Sequence, residues 1–290
     1  MKKDEVERLV RGEHHEPHRL LGAHVEDGRV VIRAFRPDAA GVVALVGPDE
    51  QPERVKLEQV HDAGLFEGTL DGTTPPPAYR LEVGYASGTF AVDDPYRFWP
   101  TIGELDQHLL GEGRHERLWQ RLGAHEMTVD GVAGTAFAVW APNARAVRVV
   151  GDFNSWDGRL HPMRALGSSG IWELFLPAVT AGARYKYELV TPSGSLTLKA
   201  DPVAFAAERP PKTASVVYTS HYEWGDADWM ADREQHDRVS EPMSIYEVHL
   251  GSWRHGLSYR ELADQLPDYV AELGFTHVEF MPVAEHPYAP

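Results

Sequence analysis

Hydrophobic and polar residues alternate in short runs along most of the chain up to about residue 220. The alternation is clear at 78–83, where Tyr, Leu and Val occupy every second position of a run long enough for one strand. Glycine, proline, asparagine and aspartate separate the runs, and no long helical period appears. The pattern predicts a mainly β chain built of immunoglobulin-like, antiparallel β-sandwich modules. Such modules also serve as structural or adhesive spacers, so the pattern leaves their function open.

The strand-like segments occur twice, at an offset of about 104 to 107 positions. In the first copy they lie at 30–37, 64–70, 78–83 and 94–98, and in the second at 136–142, 170–176, 184–189 and 201–205. A regular offset over several segments indicates a duplicated module. We therefore predict two tandem sandwiches, at residues 1–102 and 124–220.

Two non-repeating segments follow the two copies. Residues 103–123 predict a helical connector, with two short helices joined at 111–113. We expect its apolar residues to pack between the modules: Leu109, Leu110, Leu118, Trp119 and Leu122. Residues 221–242 are charged and aromatic without a period, which indicates a linker.

Residues 243–290 have a different pattern. Two strand-like segments, 244–250 and 276–283, are separated by roughly 25 residues, which is enough for a parallel strand–helix–strand crossover. Ser258 and Glu261 form a capping box at the helix start, and Gly274 is suited to its end. Pro267 should kink the helix or split it in two. We expect the second strand to be left as an unpaired edge, as in the opening of a larger α/β domain that is cut short.

Charge and composition narrow the classes of partner. The formal net charge is −16, which disfavours nucleic acid and anionic membranes and leaves neutral polysaccharides or proteins. The chain has no cysteine, which excludes disulfides and thiolate chemistry and fits a cytoplasmic location. No apolar run approaches the roughly 18 residues that span a bilayer. The histidines at 14, 15, 18 and 24 suggest either a metal site or a histidine-rich loop, and Pro17 favours the loop.

One turn carries candidate binding chemistry. Residues 151–158 read Gly-Asp-Phe-Asn-Ser-Trp-Asp-Gly, so that Trp156 stands among strong turn formers. A large ring held at a turn can stack on the face of a sugar, and neighbouring polar groups can bind its hydroxyls. Packing of Trp156 against a neighbouring domain is the alternative.

Several stretches resemble bacterial 1,4-α-glucan (glycogen) branching enzymes of the α-amylase family: 17–24, 103–123, 246–253 and 274–287. Residues 140–144 and 151–158 resemble the glycogen-binding type of carbohydrate-binding module that precedes α-amylase-family barrels. The resemblance implies sugar-binding roles for Trp156 and Lys186, with Asn154 and Tyr185 beside them. The second stacking aromatic of that module has no counterpart in 192–196, and its late asparagine has none in 213–216.

The resemblance also implies a fold and a reaction. Residues 243–290 would be the first βαβ unit, about one quarter, of a (β/α)8 barrel. Such an enzyme transfers α-1,4-glucan segments to 6-hydroxyls, and its catalytic carboxylates come from later strands, beyond Pro290. Residues that follow the two strands here, His249 and Ser252, then Glu285, His286 and Tyr288, offer no defensible nucleophile-plus-acid pair.

We therefore expect no catalytic residue in this chain, which should be inactive by itself. We also expect no cofactor and no metal, α-1,4-glucan or glycogen as partner, and a cytoplasmic monomer. A non-catalytic glucan-binding protein, or part of a debranching or trehalose-forming relative, is the alternative.

Overall fold

The computed structural model describes residues 1–48, 50–71, 78–235, 237 and 239–284. The chain divides into two compact units, Met1–Ser220 and His221–Pro290, and each is described by itself. Within the described residues, no helix combines the length and the apolarity needed to cross a membrane.

The first half of unit 1 is a single antiparallel sheet that folds over on itself. After helix α1 (Lys3–Val10), its strands run in the order β1-β2-β5-β4-β3-β6-β7. Their bounds are β1 Gly22–Glu26, β2 Arg29–Phe35, β3 Gly41–Val46, β4 Glu53–His61, β5 Leu65–Asp71, β6 Tyr79–Tyr85 and β7 Gly88–Asp93. Residues 53–57 of β4 pair with β3, and the rest of β4 pairs with β5 across a register shift between Gln59 and His61. This bulge lets β4 belong to both layers of the folded sheet, and the two layers enclose a core of buried apolar side chains.

The second half of unit 1 contains two sheets. Helix α2 (Glu104–Gly111) leads to a four-stranded sheet, β11-β12-β9-β8, and a second sheet, β10-β13-β16-β15, with β14 also on β13. The bounds are β8 Gly123–Val129, β9 Val132–Trp140, β10 Ala146–Gly151, β11 Arg164–Ala165, β12 Ile171–Pro177, β13 Arg184–Val190, β14 Leu196–Lys199, β15 Ala206–Ala207 and β16 Ser215–Val216. The prediction of a mainly β fold is confirmed.

The two halves share one apolar core, which the sequence did not lead us to expect. Leu9, Leu21 and Leu65 of the first half are fully buried in the same cluster as Phe137 and Tyr185 of the second. Polar contacts join the halves as well. The Tyr96 hydroxyl donates to the Pro162 carbonyl at 3.2 Å, and Arg148 donates through Nε and Nη2 to the carbonyls of Gly12 and Arg11. Buried apolar packing and polar contacts therefore join the two halves, in addition to the connector.

A buried tyrosine–aspartate pair recurs at corresponding positions of the two halves. The Tyr79 hydroxyl donates to Asp94 at 2.6 Å, and the Tyr185 hydroxyl donates to Asp201 at 2.6 Å. In each half the other carboxylate oxygen accepts the backbone N–H two residues later. Burial raises the pKa of both carboxyls. The two tyrosines lie 106 positions apart and the two aspartates 107, which matches the offset of the repeated segments.

The connector differs in part from its prediction. One helix, α2, is present, and the second expected helix is a single 3-10 turn at Leu118–Gln120. Leu122 is buried against Ile102 and Ile171. Leu118 and Trp119 are 37% and 48% exposed, so the expectation that they pack between the modules is wrong. A 3-10 turn has three residues per turn, so the adjacent side chains of Leu118 and Trp119 point in different directions and cannot both face one module.

Unit 2 contains a parallel strand–helix–strand element. Its helices are α3 Ala227–Arg233, α4 Leu250–Trp253 and α5 Tyr259–Glu272, and its strands are β17 Ile245–Val248 and β18 His277–Phe280. The two strands pair in parallel, with Ile245 opposite His277. The capping box of Ser258 and Glu261 is present, and Gly274 has the expected positive φ of 79°. That this element begins a (β/α)8 barrel stays a prediction.

Helix α5 continues as one element through Pro267, so the expected split does not occur. Leu262, Leu266 and Val270 are buried on one face of the helix. Packing of this face stabilises the helix on both sides of the proline and offsets the lost backbone hydrogen bond.

Candidate functional site

A tight turn after strand β10 holds Trp156. The strand ends at Gly151, a 3-10 turn follows at Asp152–Asn154, and Ser155 and Trp156 then adopt positive φ angles of 54° and 63°. The Trp156 N–H donates to the Gly151 carbonyl at 3.0 Å, which closes the turn. Two consecutive non-glycine residues in the left-handed region are uncommon, and such strain clusters at binding and catalytic sites. The Trp156 side chain is 40% exposed.

Asn154 lies inside the turn. Its side chain is 4% exposed, and its Oδ1 accepts the Gly151 N–H at 2.9 Å. Its Nδ2 donates to the Val149 carbonyl at 3.0 Å and lies 2.9 Å from Nδ1 of His161. Both polar ends of the amide are thus used within the protein. In this arrangement Asn154 positions the turn that carries Trp156.

The turn begins and ends beside strand β13. Gly151 pairs with Tyr185 and Val150 pairs with Lys186, so the turn starts beside Tyr185. At its far end, a Cβ on Gly158 would clash with the side chain of Glu188. The segment therefore begins beside residue 185 and returns beside residue 188, so its two ends lie on either side of Lys186 along the strand. The absence of a side chain at Gly158 permits this close approach.

Lys186 and Tyr185 point to opposite faces of β13, as expected for neighbours in a strand. Tyr185 is 1% exposed in the core, and burial next to Asp201 raises the pKa of its hydroxyl. Lys186 is on the outer face, where its Nζ donates to Oγ1 of Thr213 at 2.7 Å. Of the four residues inferred from the sequence, Trp156 and Lys186 therefore reach the outer face, whereas Asn154 and Tyr185 support it from within.

Two further groups on this face were missed at the sequence level. Arg184 forms a bidentate ion pair with Asp152, at 2.8 Å and 2.9 Å. This hydrogen bonding lowers the pKa of the Asp152 carboxyl. Thr213 becomes a neighbour of Lys186 only through the tertiary fold. The alternation along β13, which puts 184, 186 and 188 on one face, could have identified Arg184. We call the surface formed by Trp156, Lys186, Arg184 and Thr213 the outer-face surface.

The neighbouring loop is polar and then aliphatic. The hydroxyls of Thr191, Ser193 and Ser195 lie within 3.1 Å of one another. Leu196 and Leu198 are each more than half exposed on β14. This edge therefore has aliphatic side chains where the resemblance implies a second aromatic ring. Trp156 supplies the aromatic side chain of the outer-face surface.

Within the described residues of unit 2, no carboxylate directly follows β17 or β18, where barrel enzymes carry their catalytic groups. His249 Nδ1 lies 2.7 Å from Oγ of the exposed Ser252. Glu247 and Glu279 are exposed register partners in the middle of their strands. Glu285, His286 and Tyr288 lie outside the described residues.

The histidine-rich segment forms no metal centre within the described part of the chain, where no group of three or more His, Cys, Asp or Glu side chains could hold an ion. His14 is buried and stacks on His15 with ring centroids 5.5 Å apart. Burial lowers the pKa of His14.

Two family models match the chain. Residues 2–96 match the N-terminal domain of alpha-1,4-glucan branching enzyme GlgB. Residues 121–204 match carbohydrate-binding module 48, also described as the isoamylase N-terminal domain. The second match includes the turn that carries Trp156 and the strand that carries Lys186.

Alignments with similar proteins also cover unit 2. The chain is 59% identical over 285 residues to 1,4-alpha-glucan branching enzyme GlgB 1 of Streptomyces coelicolor. It is 58% identical over 289 residues to the enzyme of Thermobifida fusca and 55% identical over 292 residues to that of Frankia casuarinae. These alignments cover 97% to 98% of the chain but only 35% to 38% of the relatives. The chain thus spans little more than a third of their length.

Solved structures show a more distant similarity. A maltotriose complex of the PulA G680L mutant from Klebsiella pneumoniae aligns over 92% of the chain and 34% of its own, with 19% identity and a TM-score of 0.44. Pullulanase type I from Bacillus subtilis aligns over 90% of the chain and 37% of its own, with 20% identity and a TM-score of 0.43.

Proposed function

Since nearly the whole chain is homologous to the N-terminal part of bacterial 1,4-alpha-glucan branching enzymes, we propose that it forms this part of such an enzyme. The observation that carries the proposal is 55% to 59% identity to these enzymes over 97% to 98% of the chain. The alignments run through both units, so the similarity includes the strand–helix–strand element as well as the sandwiches. The reaction would break an α-1,4 bond of a linear glucan, hold the released segment as a covalent glycosyl-enzyme, and join it to a 6-hydroxyl.

Unit 1 would hold the glucan chain relative to the reacting bond. On the outer-face surface, Trp156 offers a half-exposed ring for stacking, and the Lys186 ammonium and Thr213 hydroxyl offer hydrogen bonds to sugar hydroxyls. A neutral glucan suits an acidic protein, because it carries no phosphate to be repelled. Binding away from the reacting bond can contribute to transfer by orienting the chain.

The branching activity is tested with the full-length protein to which this chain belongs. Incubation with amylose should lower iodine absorbance and create α-1,6 linkages visible in the proton NMR spectrum. Release of linear chains from glycogen would instead identify a debranching enzyme, and conversion of chain ends to trehalose would identify a trehalose-forming relative. Retention on glycogen with no change in linkages would identify a non-catalytic glucan-binding protein.

A monomeric state and a cytoplasmic location remain part of the proposal. Light scattering coupled to size exclusion would give a single mass for one chain if the full-length protein is a monomer. Cell fractionation would test the location.

A further inference from the structure

A cleft lies between the two halves of unit 1 and has a volume of about 360 Å³. Strands β6 and β7 of the first half contribute Tyr85 and Phe90 to its wall, and the second half contributes Phe153 and Leu176. Most of the lining is apolar, and the volume is within the range of small-molecule sites. None of the four residues of the outer-face surface lines this cleft.

The charged side chains of the lining are Arg36 and Asp93. Asp93 is already paired, because its Oδ1 accepts from Nη2 of Arg97 at 3.3 Å and its Oδ2 lies 3.7 Å from Nε of Arg80. His161 also lines the cleft, and burial lowers its pKa to about 3, so the ring is neutral at pH 7. Among the described residues of the lining, Arg36 therefore carries a positive charge that no ion pair neutralises.

The guanidinium of Arg36 is buried without a hydrogen-bond partner. Arg36 is 7% exposed, and none of its three side-chain nitrogens donates a hydrogen bond to a described residue. Nε has no accessible surface, whereas Nη1 and Nη2 retain some. Buried polar groups in proteins are nearly always paired, and an unpaired buried charge is costly. The two accessible Nη nitrogens are therefore donors available to a ligand.

The nearby Asp94 carboxylate does not use these donors. Its two oxygens accept from the Tyr79 hydroxyl and the Tyr96 N–H. Burial raises the pKa of Asp94, and the charge of Arg36 opposes this effect. Asp94 thus balances part of the Arg36 charge from a distance, and the N–H groups of Arg36 still lack an acceptor.

We propose that this cleft binds a small monoanionic carboxylate with an apolar body. The carboxylate accepts from Nη1 and Nη2 of Arg36, because the planar guanidinium matches two acceptor oxygens. The apolar body packs against Tyr85 and Phe90. A dianion would be repelled more strongly by Asp93 and Asp94, and a sugar would bury hydroxyls against apolar side chains. The site goes beyond the proposed function and does not depend on it.

The test is isothermal titration of the 290-residue chain with 2-naphthoate, a carboxylate on an apolar ring system. The matched probe is 2-naphthamide, which has the same ring system and no charge. We expect saturable binding of 2-naphthoate that is at least about 10-fold tighter than binding of the amide, because the amide cannot form charge-assisted hydrogen bonds with Arg36. Equal affinities, or no binding of 2-naphthoate at millimolar concentration, would overturn the proposal.

Arg36→Met removes the donors and keeps an apolar side chain that can fill the space. It should weaken 2-naphthoate binding about 10- to 100-fold and leave 2-naphthamide binding unchanged. Arg29→Met removes an exposed positive charge from the same half and is the control, which should bind as the wild type does. The thermal unfolding midpoint is measured alongside. Wild-type affinity in a folded Arg36→Met would overturn the proposal.

Phe90→Ala tests the apolar wall at a position where folding is not at risk, because Phe90 is 49% exposed. It should weaken the binding of both probes about 2- to 10-fold, since both use the ring contact. Phe205→Ala is the matched control, because Phe205 is 45% exposed and does not line the cleft. An equal effect of the two changes would place the bound probe elsewhere and overturn the proposal, even if Arg36→Met does not fold.

Discussion

In the Trp156 turn, one buried residue holds the backbone in place and another exposes its side chain. Ser155 and Trp156 occupy left-handed backbone conformations that cost about 1 kcal/mol or more each for non-glycine residues. The buried amide of Asn154 satisfies the Gly151 N–H and the Val149 carbonyl, and these bonds help to hold the strained segment. The ring of Trp156, for which sugar contact stays a prediction, is 40% exposed at this turn.

At this scale we expect Trp156→Ala to weaken glycogen binding by the 290-residue chain about 2- to 10-fold, because one ring–sugar stacking contact is lost. The measurement is the glycogen dependence of electrophoretic mobility. Leu196→Ala, an exposed aliphatic residue on the neighbouring β14 edge, is the control and should bind as the wild type does. Equal mobility of Trp156→Ala and wild type at all glycogen concentrations would assign the ring to packing instead.

His161 makes stability depend on pH. Burial, with the nearby Arg36 charge, lowers its pKa from 6.5 to about 3, against a smaller opposing effect of Asp157. Between these values the unfolded chain binds a proton that the folded chain excludes. The contribution of neutral, buried His161 to the free energy of unfolding is therefore complete above about pH 6.5. It is lost as the pH falls towards 3. This one histidine should lower the free energy of unfolding by about 2 kcal/mol between about pH 7.5 and 5.

Urea unfolding at the two pH values measures this dependence in wild type and in His161→Gln. The variant should have a flatter profile, because glutamine does not titrate, whereas His255→Gln, at an exposed site, should keep the wild-type slope. An unchanged slope in His161→Gln would mean that other groups cause the pH dependence.

At the scale of elements, β18 differs from the sandwich strands because every residue in it is exposed. Val278 and Phe280 are 38% and 51% exposed, and Ile245 of the paired strand is 48% exposed. Among the described residues, no further strand pairs with the outer edge of either β17 or β18. An exposed apolar strand with an unpaired edge is a template for self-association.

We expect Val278→Lys/Phe280→Lys to reduce self-association of the 290-residue chain, because it removes apolar area and adds charge at the edge. Static light scattering over a concentration series gives the average mass. His277→Lys adds a charge on the same strand without removing apolar area, and it should have a smaller effect. If all three proteins have the same concentration dependence, β18 is not the contact.

At the scale of the whole molecule, the two sandwiches behave as one body because their cores merge. Leu9, Leu21 and Leu65 of the first half pack into the core that contains Leu174 of the second. The Arg164–Glu173 pair adds a polar tie, because Glu173 also accepts from the N–H and hydroxyl of Thr101. Unit 1 is therefore expected to unfold cooperatively.

Leu65→Ala should destabilise both halves of unit 1, by about 2 to 5 kcal/mol, because the cavity opens in the shared core. Amide hydrogen exchange should show lost protection in β12 as well as in β5. Leu81→Ala opens a cavity in the core of the first half, and because unit 1 is expected to unfold as one, it should also lower protection in β12. Protection in β12 that survives Leu65→Ala would show that the halves unfold independently.

We also expect the 290-residue polypeptide to introduce no α-1,6 linkages into amylose. A retaining transferase needs two carboxylates about 5 Å apart, and the described residues directly after β17 and β18, 249–252 and 281–284, include none. Iodine absorbance should stay constant with this polypeptide and fall with the full-length protein. A fall with the 290 residues alone would place the catalytic groups within them.

The sequence by itself indicated most strands, the offset of the repeated segments, the capping box of Ser258 and the left-handed Gly274 that follows the end of α5. These features depend on side-chain periodicity and local hydrogen bonds, which neighbouring residues specify. The resemblance added Trp156 and Lys186, and the fold places both on one face.

Only the tertiary structure decided which residues are buried and which segments share a core. It placed Asn154 and Tyr185 inside, brought Thr213 to Lys186, merged the two sandwiches, and gathered Arg36, Phe90 and His161 around one cleft. Except for the turn around Asn154, these outcomes depend on contacts between residues tens of positions or more apart, and the packing of whole sheets selects such contacts. A strand pattern indicates which side chains share a face. The tertiary fold determines which of the two faces a neighbouring element covers.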